Sequence, residues 1–344
     1  MKLHTIFGTL FVITACATGS IADAGEPLTK PAMKWADHSR LGRPFSKDPC
    51  VIYFNGTNYL YFSLPPYSNT LAPKNAPAGW SIGIATSKDL IKWQKIGELL
   101  PEQSCERNGI CAPGCIVLNG KVHMFYQTYG NGTNDAICHA TSVDGIKFVR
   151  DTTNPIFRPS GSWTCGRAID ADVIEHEGKL LLYYATRDPF MKTQMIGVAG
   201  AVMQTGDEAF SRNAWKQLFD GPILKPELPW ERKCIEAPSL IKYGSFLYMF
   251  YAGAYNNEPQ QIGVAMSKDG IQWRRISDQP FLTNGGAGEW NSSESGHPGI
   301  FSDPNGRTLL FFQGNSDKGR TWYLSHVEIL WENNAPRLKM PNKF

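Results

Sequence analysis

Three acidic residues, Asp48, Asp170 and Glu236, each stand eight residues ahead of a turn glycine, at Gly56, Gly178 and Gly244. Behind those glycines come runs of aromatic and aliphatic residues, YLYFS, LLLYYAT and FLYMFYAG. If the runs belong to equivalent units, the carboxylates share one place in a symmetric structure and converge. Carboxylates crowded into a partly buried site push their pKa values apart, leaving an acid and a base near neutral pH. Hydrolysis of a glycosidic bond needs that pair: one carboxylic acid protonates the leaving oxygen while a carboxylate activates water on the opposite face. A lone Asp beside a turn ordinarily serves the turn itself, which does not explain three acids at one phase of a repeat. Asp172 shares side-chain parity with Asp170 and is expected as its neighbour or a substrate contact. Glu294 and Asp303 fall out of phase and are expected on loops or the surface.

The repeat sets the frame for these acids. Two further copies, Asn119-Gly120 before VHMFYQ and Asn305-Gly306 before TLLFFQG, make five, with glycines 64, 58, 66 and 62 residues apart. Ala112 and Pro298 occupy the phase of the acids in those copies. A second phrase recurs at Ile82–Trp93, Ile137–Phe148 and Ile262–Trp273, carrying an S-x-D-G/L turn and a closing aromatic expected to pack between units. Short apolar runs bounded by Gly, Asn, Asp or Pro read as strands. Five units of about 60 residues predict an all-β fold, a five-bladed β-propeller with about four antiparallel strands per blade. A β-helix has a shorter period, and a sandwich does not predict functional residues at one repeat phase. The propeller is expected over residues 41–335, after a tether at 25–40 and before a polar tail at 336–344 that caps or frays. The acids then lie on innermost strands lining the central channel.

With 42% hydrophobic and 19% charged residues and a net charge of +3, the chain can bury a large core and gives no ground for a nucleic-acid partner. Residues 1–24 read as a targeting segment: Lys2, an apolar stretch from Ile6 to Ala15, then Ile13-Thr14-Ala15-Cys16, similar to a lipobox whose cysteine is acylated. Cys16 is therefore the expected lipidation site. The protein is expected outside the cytoplasm as an outer-membrane or cell-surface lipoprotein, touching the membrane only through its lipid. The alternative is a periplasmic or secreted protein cleaved after Ala22-Asp23-Ala24. A monomer is expected. Seven cysteines remain beyond Cys16, and export permits disulfides whose pairing the sequence does not give. Cys50, Cys111, Cys165 and Cys234 fall close to the repeat position of the acids. The spacing Cys105-x5-Cys111-x3-Cys115 is not that of a standard zinc knuckle.

The motifs together resemble the glycoside hydrolases of family 43, five-bladed propellers acting on xylose- and arabinose-containing glycans. The likeness covers about residues 43–325. It rests on Lys47-Asp48-Pro49, Ala112-Pro113, Ile169-Asp170-Ala171-Asp172-Val173, Ile235-Glu236-Ala237-Pro238 and Gly296-His297. The resemblance implies inverting hydrolysis with Asp48 as general base, Glu236 as general acid and Asp170 orienting and tuning the acid. It implies no required cofactor, and a channel histidine, His297, that faces a structural calcium ion or a trapped water and comes near the sugar. The chain departs from the family pattern at Ala171, usually proline, and at Ala237, usually glycine. It also lacks the tryptophan and aspartate that commonly flank the Ala112-Pro113-Gly114 segment.

A polysaccharide or oligosaccharide is the expected partner, with exo action on β-D-xylosyl or α-L-arabinofuranosyl residues, since the Pro65–Gly79 loop can wall off one side. Trp163, Trp230 and Trp290, in loops leading to the innermost strands, and Arg167 are the expected sugar contacts. Their other role is packing between blades. Related propellers acting on sucrose-like substrates carry Asn-Asp-Pro, where this chain has Lys47. Anhydrogalactosidases place a histidine where it has Ile235. A glycan-binding propeller without catalysis has no need of a base opposite an acid.

Overall fold

A computed structural model describes residues 32–203 and 210–339; the leader, with Cys16, lies outside the described residues. The chain forms five four-stranded antiparallel sheets, each a meander in sequence order. Blade one comprises β1 (Lys47–Phe54), β2 (Thr57–Leu64), β3 (Ser81–Ser87) and β4 (Gln94–Leu99). Blade two comprises β5 (Ile110–Leu118), β6 (Lys121–Thr128), β7 (Ile137–Ser142) and β8 (Val149–Arg150). Blade three holds β9 (Ile169–His176), β10 (Lys179–Arg187), β11 (Gln194–Val202) and β12 (Lys216–Gln217). Blade four holds β13 (Ile235–Tyr243), β14 (Phe246–Gly253), β15 (Gln261–Ser267) and β16 (Arg274–Arg275). Blade five holds β17 (Glu294–Ser302), β18 (Thr308–Asn315), β19 (Tyr323–Glu332) and β20 (Ala335–Leu338). The first strands β1, β5, β9, β13 and β17 touch one another in a closed ring. This is the expected five-bladed propeller.

The local chemistry explains the meander. At the first hairpins Asn55-Gly56, Asn119-Gly120 and Glu177-Gly178, both residues have positive φ, 46° and 80° in the first case. That geometry matches the twist of the flanking strands. In the second repeated phrase, the hydroxyls of Ser87, Ser142 and Ser267 accept the N–H of Leu90, Gly145 and Gly270 at 2.8–2.9 Å. The closing aromatics do pack between blades: Trp93 meets Phe311, Phe148 meets Tyr61 and Trp273 meets Tyr183, all edge-on. Each blade interface has its own apolar cluster, so the core is five wedges around a channel.

Two boundaries differ from expectation. Ala335–Leu338 is not a frayed tail; it completes blade five by pairing with β19. Nor is the described part of the tether free. Met33 is 1% exposed within the wedge between blades five and one. Trp35 bridges to Leu324, and Ser325 Oγ donates to the Met33 carbonyl at 2.6 Å. Phe45 then bridges Trp322. The strap closes the ring because burying apolar area removes it from water where no strand pairing joins the last blade to the first. No helix among the described residues is long and apolar enough to cross a membrane.

Two outcomes follow for stability. Met33→Ala lowers the unfolding free energy by about 2–4 kcal/mol, read by urea denaturation, because it leaves a cavity in the closing wedge. Burial pushes the His326 pKa down to about 4. The folded state therefore binds fewer protons than the unfolded chain between pH 6.5 and 4, and stability falls as pH drops through that window, by up to about 3 kcal/mol. His326→Gln removes this slope when denaturation curves are compared at pH 7 and pH 4.5.

Candidate functional site

Every innermost strand carries a bulge near its start. Pairing skips two residues between Lys47 and Cys50, Cys111 and Gly114, Ile169 and Asp172, Glu236 and Ser239, and Gly296 and Gly299. Within each skip one residue has a left-handed φ: Asp48 (55°), Ala112 (47°), Asp170 (52°), Ala237 (52°) and His297 (43°). These five are the true structural equivalents. The expectation that Glu236 shares the place of Asp48 and Asp170 is corrected: it sits one residue earlier, in register with Lys47, and approaches the same mouth from that position. The prolines Pro49, Pro113, Pro238 and Pro298, each just after the left-handed residue, carried this alignment in the sequence. Spacing to the hairpin glycine does not, because Gly244 is the first residue of its two-residue turn, where Gly56, Gly120 and Gly178 are the second, and Gly306 lies in a longer turn between Ser302 and Thr308.

The left-handed residues are held from the preceding blade. Gln313 Oε1 accepts the Asp48 N–H at 3.0 Å, Gln127 Oε1 that of Asp170 at 2.6 Å and Gln260 Oε1 that of His297 at 3.1 Å. Ser63 Oγ does the same for Ala112 at 2.8 Å. Gln260 Nε2 also donates to Glu236 Oε1 at 2.7 Å, and Gln194 Nε2 donates to Glu236 Oε2. Asp48, Asp170 and Glu236 are all buried at the channel mouth.

The electrostatics show that the acids are close. Burial, then the charges of Glu236 and Asp48, push the Asp170 carboxyl well above its ordinary range, against the pull of Arg167 and Lys47. His297 Nδ1 lies 3.1 Å from Asp48 Oδ1. Burial draws the His297 pKa down, while Asp48 and Glu236 pull the other way. Burial alone would lower the Lys47 pKa, but Asp48, Glu294 and Glu236 together raise it. Its ammonium reaches Asn256 Oδ1 at 3.0 Å and lies over the Trp322 ring. Arg167 stands beside Asp170 with its Nε on Asp135 Oδ2 at 3.2 Å. Cys111 borders Asp48 and Asp170, and Cys234 borders Glu236.

Other expectations fare differently. Asp172 lies one layer down, lining a channel cavity of ≈ 220 Å³ with Cys50, Cys115 and Ser239. Its oxygens accept the N–H groups of Val173 and, across the blade boundary, Leu240. It is a stitch between innermost strands, as Ser239 Oγ is for the Ile300 N–H. Gly114 and Gly299 allow this close approach: a Cβ there would meet the carbonyl of Ala171 or Pro49 at 2.1–2.2 Å. Glu294, expected on a loop, is fully buried at the start of β17, and burial lifts its pKa to about 7. Asp303 closes a turn on Arg307, 2.7 Å away.

The three tryptophans expected as sugar contacts take their other role, packing, in the contacts they make. Trp163, Trp230 and Trp290 lie, partly buried, against the apolar wedges between blades two and three, three and four, and four and five. Trp230 stacks on Tyr251 and spends its N–H on the Asp278 carbonyl. The aromatics near the acids are others: Trp80 and Trp322 flank Phe45, Tyr129 meets Trp80, and Tyr255 faces Arg187. Sequence spacing missed them because they sit on the β2–β3, β6–β7, β14–β15 and β18–β19 connections, outside the repeated phrases.

The zinc spacing leads nowhere, since Cys105 contacts Cys138 and Cys115 contacts Cys50. Among the described residues no three His, Cys, Asp or Glu side chains converge as metal ligands. His297 lines the channel cavity with its Nδ1 turned to Asp48 Oδ1.

A five-bladed propeller that gathers two aspartates and a glutamate around its channel mouth defines a carbohydrate-cleaving class of fold and site. The chain belongs to glycosyl hydrolases family 43, whose profile matches residues 41–332. A thermostable family-43 glycoside hydrolase superposes with a TM-score of 0.64 at 20% identity, over 89% of this chain and 96% of that one. An endo-1,4-beta-xylanase from Bacteroides thetaiotaomicron gives 0.66 at 21% identity, over 86% and 94%. At such identities these likenesses speak for the fold. A sucrose-6-phosphate hydrolase from Zymomonas mobilis subsp. mobilis is 36% identical over 110 residues, 29% of this chain and 20% of that relative. That match thus spans about a fifth of the relative's length.

Burial raises the Asp172 pKa to about 7 despite its two backbone N–H partners. A carboxyl raised in the folded state contributes stability below its unfolded pKa and loses it as pH rises through the folded value. Asp172→Asn therefore gains stability relative to wild type as pH climbs from 4 to 7, by about 1.4 kcal/mol for each unit of pKa difference. Denaturation midpoints of the pair across that range check it.

Proposed function

We propose that this protein hydrolyses glycosidic bonds with inversion, Asp48 acting as general base and Glu236 as general acid. The observation that carries this reading is the convergence of Asp48, Asp170 and Glu236 from three blades on one channel mouth. His297, held neutral by burial, donates from Nδ1 to Asp48 Oδ1 and leaves Oδ2 free to take a proton from water. Glu236, cradled by the side-chain amides of Gln194 and Gln260, delivers its proton to the leaving oxygen. Asp170 stands beside Glu236 and orients it. Inversion requires the two working carboxyls about 6.5–9.5 Å apart, with water between one of them and the sugar.

The substrate we propose is a plant or algal glycan, or its oligosaccharides, cleaved from the end to release β-D-xylosyl or α-L-arabinofuranosyl units. Support for end-wise action comes from the β2–β3 connection, which leaves β2 beside Lys47 and brings Trp80 to the mouth. The xylanase and an exo-1,5-alpha-L-arabinanase from a bovine ruminal metagenomic library share the fold. The partial match to sucrose-6-phosphate hydrolase favours a second substrate for test, a sucrose-type fructoside.

A panel of 4-nitrophenyl glycosides (β-D-xyloside, α-L-arabinofuranoside, β-D-galactoside) together with sucrose and its 6-phosphate separates these readings. One sugar is expected to be released, and proton NMR of the first product shows the inverted anomer. Glu236→Gln lowers kcat by about 10²–10⁴-fold, the usual worth of a general acid. The loss shrinks on a 2,4-dinitrophenyl glycoside, whose leaving group needs no proton. Asp48→Asn abolishes turnover whatever the leaving group. A retained anomer, or a Glu236→Gln loss that ignores the leaving group, sinks the assignment.

A further inference from the structure

We propose that Gln313 and Glu294 form a positioning brace for the Asp48 carboxylate, linking the placement of the base to Lys47 through one buried amide. The proposal rests on Asp48 being the base. Asp48 adopts φ 55°, a conformation that a non-glycine residue holds only where its surroundings enforce it. The enforcing contact is its N–H on Gln313 Oε1. Gln313 Nε2 donates to Glu294 Oε1 at 2.8 Å and to Asn256 Oδ1 at 3.1 Å. Asn256 Oδ1 in turn accepts the Lys47 ammonium.

These contacts decide which way the amide faces. Turning it over would set its NH2 group against the Asp48 N–H and its oxygen against Glu294. The Asp48 N–H donates only and Asn256 Oδ1 accepts only, so the orientation that gives Oε1 to Asp48 also turns Nε2 to Glu294. Both side chains are buried, and Glu294 is itself pinned by the Asn257 N–H at 2.6 Å on its other oxygen. The groups facing Glu294 are Lys47 from β1, Glu236 from β13, Gln313 from β18 and Asn257 from the β14–β15 connection. Gln260 braces His297 in the same way, but its Nε2 goes to Glu236, itself one of the three converging acids, and to the Ala254 carbonyl. The brace of the base is anchored on a buried carboxyl that is not one of the three acids converging on the channel mouth, and nothing in the repeat requires that carboxyl.

The test uses the full chain, with steady-state kinetics on 4-nitrophenyl β-D-xylopyranoside or α-L-arabinofuranoside from pH 4.5 to 8.5. Gln313→Leu, Gln313→Glu and Asp48→Asn are compared with wild type. Gln313→Leu is expected to lower kcat by about 30–100-fold with KM changed less than threefold, the size expected for a misplaced reactive group. Gln313→Glu keeps an accepting oxygen. At pH 5 the new carboxyl and Glu294 share a proton, and kcat stays near wild type. By pH 8 that proton is lost and kcat falls at least tenfold further than in wild type.

A Gln313→Leu kcat within twofold of wild type, while Asp48→Asn is dead, overturns the brace and leaves the base standing. A Gln313→Glu profile parallel to wild type overturns it as well. Activity that survives Asp48→Asn removes the base, and the brace with it. Crystal structures read the same claim without a substrate. In Gln313→Leu, Asp48 is expected to leave the left-handed region and its contact with His297 to open; unchanged geometry there overturns the proposal.

Discussion

One backbone feature governs the rest of this molecule: the left-handed residue at the bulge of each innermost strand. For an L-residue that conformation costs roughly 1–2 kcal/mol, so it persists only where neighbouring contacts enforce it. Here the enforcing contact crosses to the next blade, from Ser63, Gln127, Gln260 and Gln313. The same hydrogen bonds that tie blade to blade therefore aim Asp48, Asp170 and His297 at the channel mouth. Ring closure and active-site geometry are one problem with one solution. The N-terminal strap shares in it, since Phe45 bridges Trp322 just before Lys47 and Asp48 enter the site.

Placing so much negative charge together is costly unless it is compensated. The site distributes that cost. Lys47, Arg167 and Arg187 stand around the three acids, each held by its own partner: Asn256, Asp135 and Gln194. Asp170, Asp172 and Glu294 answer in a different way, their carboxyls raised toward the neutral form by burial. His297 stays neutral beside Asp48, a donor without a second positive charge. Acid–base hydrolysis demands a proton and a free carboxylate side by side in such a mouth.

Much of this was legible in the sequence because it depends on local chemistry repeated five times. Turn glycines, S-x-D-G turns and their closing aromatics gave the blades, and the family likeness followed from the dipeptides at the bulges. Glu236 was picked out for an incomplete reason: counting from the hairpin glycine assumes that the glycine holds the same place in every turn, whereas the prolines after the bulge mark the true register. Glu294 was illegible because its burial depends on Gln313, Asn257 and Lys47, which come from distant parts of the chain. The tryptophans were ambiguous because an indole in a loop before a strand suits a sugar platform and a packed core alike. Gly253, Gly263 and Gly314 decide between them by opening room for Trp230 and Trp290 against the sheets. The strap at Met33 and Trp35 has no repeat to announce it.

In the proposed mechanism Asp48 and Glu236 work from opposite faces of one sugar ring. A crystal structure of Glu236→Gln with an uncleaved oligosaccharide tests it directly. The account predicts the scissile oxygen within hydrogen-bond reach of residue 236 and a water held by Asp48 on the far side of the anomeric carbon. A glycan bound away from the channel mouth, or both side chains on one face of the sugar, would contradict it.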